Sequence, residues 1–127
     1  MAKKIIVSEK APAPIGPYSQ AVKANGMLFI SGQIAINPET NELVINTLIG
    51  ETHQVMKNLQ AILEASDMSF ENVVKTTILL SDMEMFGPVN EIYALYFTGD
   101  FPARETYAVK ALPKNVHLEI SMIAVEK

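Results

Sequence analysis

Nine of the ten basic residues are lysine, and the chain's one arginine is Arg104. A guanidinium grips a carboxylate through two parallel N–H donors and keeps its charge, whereas an ammonium is a point charge on a flexible stem. Arg104 is therefore a candidate anion clamp; the competing reading is a surface or intersubunit salt bridge. Glu119 interrupts a strongly apolar, strand-like run between Leu118 and Ile120. A dry carboxylate there is costly, so it needs a partner or a water. The competing reading is an exposed strand residue or half of a structural ion pair. Tyr18 follows Pro17 in a constrained loop, where ring and hydroxyl can close a pocket, although most tyrosines simply pack with a wet tip.

Other chemistries lack their residues. There is no cysteine, which excludes thiolate nucleophiles, disulfides, iron–sulfur clusters and zinc sites built on cysteine, and fits a reducing compartment. His53 sits in a helical pattern and His117 in a strand-like one, with no nearby carboxylate spacing that points to a metal, so no metal site is expected. The dinucleotide, Walker, nucleophile-elbow and H-E-x-x-H motifs are missing.

These residues must be held by a single domain, because 127 residues and 14.0 kDa make one core's worth of chain. With 49% apolar and 19% charged residues, the composition is that of a globular domain. A net charge of −4 disfavours nucleic acid, whose non-specific binding depends on lysine and arginine. No apolar run is long enough to span a bilayer, and the apolar stretch after Lys3-Lys4 is too short for a signal peptide; the expected location is cytoplasmic, with no membrane partner.

Along the chain, residues 3–7 predict a short strand, and Pro12, Pro14, Gly16 and Pro17 then force an irregular loop. Asn25-Gly26, between Ala21–Ala24 and Met27–Ser31, predicts a hairpin with a type I′ turn. A further short strand is expected at Leu43–Ile45. Val55, Met56, Leu59, Ile62 and Leu63 share one face of a helix placed between Thr47 and Ser66. A strand is predicted over Val73–Leu80. A second helix runs from Phe86 to Phe97 with Gly99 as its cap. Strands over Arg104–Lys110 and Val116–Val125, joined by a turn at Leu112–Asn115, complete the order βββαβαββ.

Two helices on separate crossovers leave one face of such a sheet uncovered. In the last strand Leu118, Ile120, Met122 and Ala124 alternate with Glu119, Ser121, Ile123 and Val125, so both faces carry apolar groups. The helices bury one face, and a partner chain is the expected cover for the other.

Four blocks then occur in order: Gly16-Pro17-Tyr18-Ser19-Gln20-Ala21, Ser31-Gly32-Gln33-Ile34, Pro102-Ala103-Arg104 and Leu118-Glu119-Ile120. Together they resemble the RidA family, also called YjgF, and the resemblance runs through nearly the whole of residues 1–127, taken as one domain. It implies an α+β, chorismate-mutase-like fold: a mixed sheet with two helices packed on one face. It also implies a homotrimer with sites in clefts between subunits, which would supply the missing cover. The implied activity is cofactor-free hydrolysis of reactive 2-imino acids, 2-iminobutanoate and 2-iminopropanoate, to 2-oxo acids and ammonia. Such imines are released by pyridoxal-phosphate enzymes such as threonine dehydratase.

By motif, the resemblance makes Arg104 the holder of the substrate carboxylate, Glu119 the group that positions and polarises water, and Tyr18 a wall of the cleft. Ser31, Gly32, Asn90 and Thr106 match positions near the family's cleft as substrate-binding residues. These roles agree with the chemistry: an imine carbon is already electrophilic, so orientation, a water at roughly 3 Å and two proton transfers suffice. Glu105 departs from the family, which usually has a small or apolar residue there. A second carboxylate would weaken the clamp, but strand alternation sends Glu105 and Tyr107 to the face opposite Arg104 and Thr106. The alternative is a non-catalytic trimer of the same fold that binds small carboxylates and regulates; a nuclease or translation inhibitor ranks last, since the charge balance and the lack of a metal constellation oppose it.

Overall fold

The computed structural model describes residues 2–127 and contains the expected order, with one six-stranded sheet. The strands are β1 (Lys4–Ile6), β2 (Ala21–Ala24), β3 (Met27–Gln33), β4 (Val73–Leu80), β5 (Ala103–Ala108) and β6 (Leu118–Val125), and the helices are α1 (Leu48–Ala65) and α2 (Phe86–Ala94). Their order across the sheet is β1-β2-β3-β6-β4-β5; β4 and β5 pair in parallel and every other pair is antiparallel. The fold is thus α+β with a mixed sheet.

The hairpin forms where its turn residues dictate. Asn25 and Gly26 take φ of 54° and 73°, the two left-handed positions of a type I′ turn, and Ala24 pairs with Met27 across it. Helix α1 starts where Thr47 accepts a hydrogen bond from the Gly50 amide at 3.0 Å and ends at Ser66. Its apolar stripe of Val55, Met56, Leu59, Ile62 and Leu63 is fully buried against Leu118, Ile120, Met122 and Ala124 of β6 and against β3. Helix α2 packs beside α1, so both cover the same face.

Two local expectations need correction. Leu43–Ile45 is no strand; it contributes a single bridge from Leu43 to Ile36, because Asn37–Glu42 turn too tightly to leave a longer partner. Helix α2 ends at Ala94 with Leu95 as its cap, and Gly99, at φ 119°, lies in the loop beyond. The amides of Tyr96 and Phe97 reach back only three residues, to Tyr93 and Ala94, so the chain tightens and unwinds while both rings still pack on the core.

The other sheet face is open. Phe29 is 43% exposed there and Tyr107 58%, alongside the half-buried Ile123, Lys75 and Thr77.

Candidate functional site

The expected site residues fall into two groups that a single chain holds on opposite faces of its sheet. On the open face lie Tyr18, Ser31, Gly32 and Glu119. On the helix face, at the β5 edge, lie Arg104, Thr106 and Asn90.

Glu119 sits on β6 opposite Leu79 of β4, flanked by the buried Leu118 and Ile120. Its carboxylate lies over Gly32, where the pairing of β3 with β6 slips between Ile30 and Gln33. A Cβ on Gly32 would stand 2.8 Å from Glu119 Cδ and 2.9 Å from Cγ, closer than side chains approach, so any side chain there would push the carboxylate aside. Around the carboxylate, Pro12, Ile15, Tyr18, Ile34 and Pro113 line a pocket of about 50 Å³, enough to admit a water. Burial among these groups raises the Glu119 carboxyl above its ordinary pKa. A raised pKa makes the carboxylate a better proton acceptor.

The loop that carries Tyr18 is held by Gln20, which is 3% exposed. Its Nε2 donates to the carbonyls of Ser8, Ala11 and Pro12 at 3.0, 3.3 and 2.8 Å, and its Oε1 accepts from the Ser8 amide at 2.7 Å. The Ser31 hydroxyl donates to the Ser19 carbonyl at 2.6 Å, tying the same loop to β3. The Tyr18 hydroxyl accepts from the Ile15 amide at 3.3 Å, and its ring remains 47% exposed. Behind the pocket, buried Asn58 of α1 donates to the carbonyls of Ile34 and Ile36, fixing the wall that β3 forms as it leaves the sheet.

Across the sheet, Arg104 pairs in register with Thr76 and so points toward the helices. Its guanidinium carbon lies 5.2 Å from the centre of the Tyr93 ring and 5.5 Å from that of Phe86. Asn90, Tyr93, Phe101, Pro102 and Arg104 border an open cleft of about 440 Å³. Thr106 follows two residues on, facing the same way, and its hydroxyl is buried without a hydrogen-bond partner. None of the ion pairs among the described residues involves Arg104. Glu105 does not compromise it: alternation turns that carboxylate to the open face, where it accepts from Thr77 Oγ1 at 2.6 Å and pairs with Lys75 at 3.2 Å. The Thr77 hydrogen bond, then Lys75, hold the Glu105 carboxyl below its ordinary pKa.

Both histidines are occupied elsewhere. His53 Nδ1 meets the Tyr96 hydroxyl at 2.6 Å. His117 Nδ1 meets the fully buried Glu51 carboxylate at 2.6 Å, which also accepts the amides of His117 and Leu118 at 2.8 and 3.3 Å. Gln20, Glu51 and Asn58 are not among the residues that the sequence marks as candidates. A signal was there for two of them, since Glu51, Val55, Asn58 and Ile62 follow the helical spacing of the apolar stripe, and a polar group on that stripe must find a buried partner.

The fold and the two clusters define an α+β chain with an arginine outside every ion pair at the edge of one sheet face and a half-buried acid on the other. The profile of the endoribonuclease L-PSP family matches residues 8–126. A mouse relative, 2-iminobutanoate/2-iminopropanoate deaminase, is 51% identical over 124 residues, 98% of this chain and 92% of its own. Reactive Intermediate Deaminase A of Arabidopsis thaliana, a chloroplastic protein, is 51% identical over 96% of this chain and 65% of its own length. The crystal structure of YyfA from Yersinia pestis, of the conserved Rid protein family, superposes with a TM-score of 0.95 at 48% identity, covering 98% of this chain and 99% of that one. The chain belongs to this family, the RidA or YjgF family that its four sequence blocks resemble. Among the described residues no helix is long and apolar enough to cross a membrane.

Proposed function

We propose that the protein is a hydrolase of small 2-imino acids, acting on 2-iminobutanoate and 2-iminopropanoate without a cofactor, and that each site is shared by two copies of the chain. The observation that carries this reading is the pairing of an arginine free of any carboxylate partner with a glutamate whose carboxyl is raised by burial. They lie on opposite faces of one sheet, so a substrate that touches both must bridge neighbouring copies. The apolar open face, with Phe29 and Ile123, favours association, and a closed ring of three is the arrangement the family resemblance implies.

In this site Arg104 takes the substrate carboxylate through two parallel hydrogen bonds, with Asn90 and Thr106 beside it. The neighbouring copy's open-face cluster presents Glu119 and its water to the imine carbon. The water oxygen adds to that carbon while one proton passes to Glu119, giving a carbinolamine. From the protonated imine this carbinolamine is neutral; Glu119 returns the proton to its nitrogen, the C–N bond breaks as the hydroxyl passes its own proton to Glu119 and closes to the carbonyl of the 2-oxo acid, and ammonia takes that proton from Glu119 and leaves as ammonium. Each Glu119 ends as it began, so no redox partner is needed. Positioned acid–base help of this kind is worth about 10²- to 10⁴-fold.

The test is release of 2-oxobutanoate from iminobutanoate made in place by a threonine dehydratase, with and without the protein. Acceleration by the wild type that vanishes in Arg104→Ala, with folding retained, supports the reading. Breakdown at the buffer rate with the wild type present contradicts it and leaves carboxylate binding alone as the function.

A further inference from the structure

Arg104 is held by aromatic faces rather than by an anion, and those faces are themselves tied to the strand that carries its neighbour. Tyr93 of α2 is 3% exposed, and its hydroxyl donates to Thr76 Oγ1 at 2.9 Å. Thr76 is fully buried and stands directly beside Arg104 in the parallel register of β4 and β5. The contacts close a loop: the Arg104 backbone pairs with Thr76, the Thr76 hydroxyl holds Tyr93, and the Tyr93 ring lies 5.2 Å beneath the Arg104 guanidinium.

We propose that Tyr93 and Thr76 form a positioning pair for the carboxylate clamp, in which the hydroxyl tie fixes the ring that orients the guanidinium. The proposal rests on the reading that Arg104 binds the substrate carboxylate. A guanidinium stacked on a ring keeps its in-plane N–H edge free, and that edge makes the bidentate contact with a carboxylate. An aspartate or glutamate partner would orient Arg104 equally well but would occupy the same edge and lower its charge. Phe86, at 5.5 Å, adds a second ring but has no polar handle to hold it, so Tyr93 alone is fixed by a directional bond. Burial raises the Tyr93 pKa, so its hydroxyl remains a donor across the working pH range.

The test uses the full-length protein and 2-oxobutanoate as the carboxylate probe, with affinity read by calorimetry and imine turnover by product release. Tyr93→Phe keeps the ring and removes the tie; Thr76→Val removes the acceptor at nearly constant volume; Thr76→Ser keeps a hydroxyl. Each of the first two is expected to weaken probe binding and raise KM roughly three- to tenfold, with kcat within about twofold. The Tyr93→Phe/Thr76→Val double variant should be no worse than either single one, since both cut one bond. Thr76→Ser should bind like the wild type. A loss of folding in Tyr93→Phe leaves Thr76→Val and Thr76→Ser to decide. If Arg104→Ala abolishes binding while Tyr93→Phe and Thr76→Val bind like the wild type, or if Thr76→Ser is as weak as Thr76→Val, the positioning pair is wrong and the clamp stands. If Arg104→Ala itself binds like the wild type, the clamp is wrong and the pair falls with it.

Discussion

The carboxylate of Glu119 rests on Gly32, in space that any larger residue would occupy: a Cβ there would lie 2.8 Å from Glu119 Cδ. The strand slip between Ile30 and Gln33 brings the glycine under the acid. Gly32→Ala should therefore act on catalysis more than on folding, because the methyl displaces the carboxylate from its water pocket. We expect kcat to fall at least about tenfold, by the sensitivity of catalysis to ångström-scale misplacement. The accompanying loss of stability should be about 1–3 kcal/mol, as for other overpacked sites. Steady-state kinetics beside urea unfolding separates the two effects.

Glu119→Gln keeps the shape and removes the base, and should lower kcat by about 10²- to 10⁴-fold. The wild-type rate should rise with pH as Glu119 loses its proton, with the inflection above the ordinary carboxylate value because burial raises it. The variant should lack that limb in a pH–rate profile. Stability should move the other way. A folded-state pKa above the unfolded one means the native protein binds the proton more tightly, so stability is lost as pH rises through that window. At neutral pH the glutamine variant should therefore melt higher than the wild type, with function the cause of the acid's retention.

Glu105 should behave in the opposite sense. Its carboxyl is lowered, first by Thr77 and then by Lys75, so its contribution is present above the unfolded value and lost as pH falls through the lowered one. Thermal melts from neutral to acidic pH should show Glu105→Ala losing less stability on acidification than the wild type. Since Glu105 faces away from Arg104, the variant should keep imine turnover within about threefold, as expected for a partly exposed pair.

Gln20 anchors the loop of Tyr18 with four hydrogen bonds to buried or half-buried backbone. Gln20→Ala leaves those carbonyls and the Ser8 amide unpaired and should cost about 2–4 kcal/mol, a sum of buried groups left without partners. Limited proteolysis should then cut within residues 9–19, where the wild type resists. Cleavage elsewhere, with that loop intact, would show that Gln20 does not hold it.

Much of this arrangement was legible in the sequence because its signals are local. Asn25-Gly26 dictates its hairpin, Thr47 its helix start, and alternation along β6 its two faces. The direction of Glu105 away from Arg104 followed from the same alternation. Tertiary forces erased other signals. Gly99 looked like a helix cap, but Tyr96 and Phe97 packed on the core in a tightened turn and ended α2 earlier. Leu43–Ile45 had strand-forming residues but no long partner. The separation of Arg104 from Glu119 within one chain depends on β5 pairing in parallel at the sheet edge, which no local pattern encodes. The ties of Gln20 to the backbone of residues 8–12 and of Tyr93 to Thr76 likewise join residues that no spacing rule connects.

The most direct measurement mixes two inactive proteins. Arg104→Ala and Glu119→Gln copies, unfolded together in equal amounts and refolded, form mixed rings in which one interface joins an intact Arg104 to an intact Glu119 of the neighbour. Random assembly of closed trimers should restore about a quarter of wild-type 2-oxobutanoate release, against none for either variant refolded alone. Recovery near that level is the expected result. Mixed assemblies, verified by mass, that stay as inactive as the separate variants would contradict a site shared between copies.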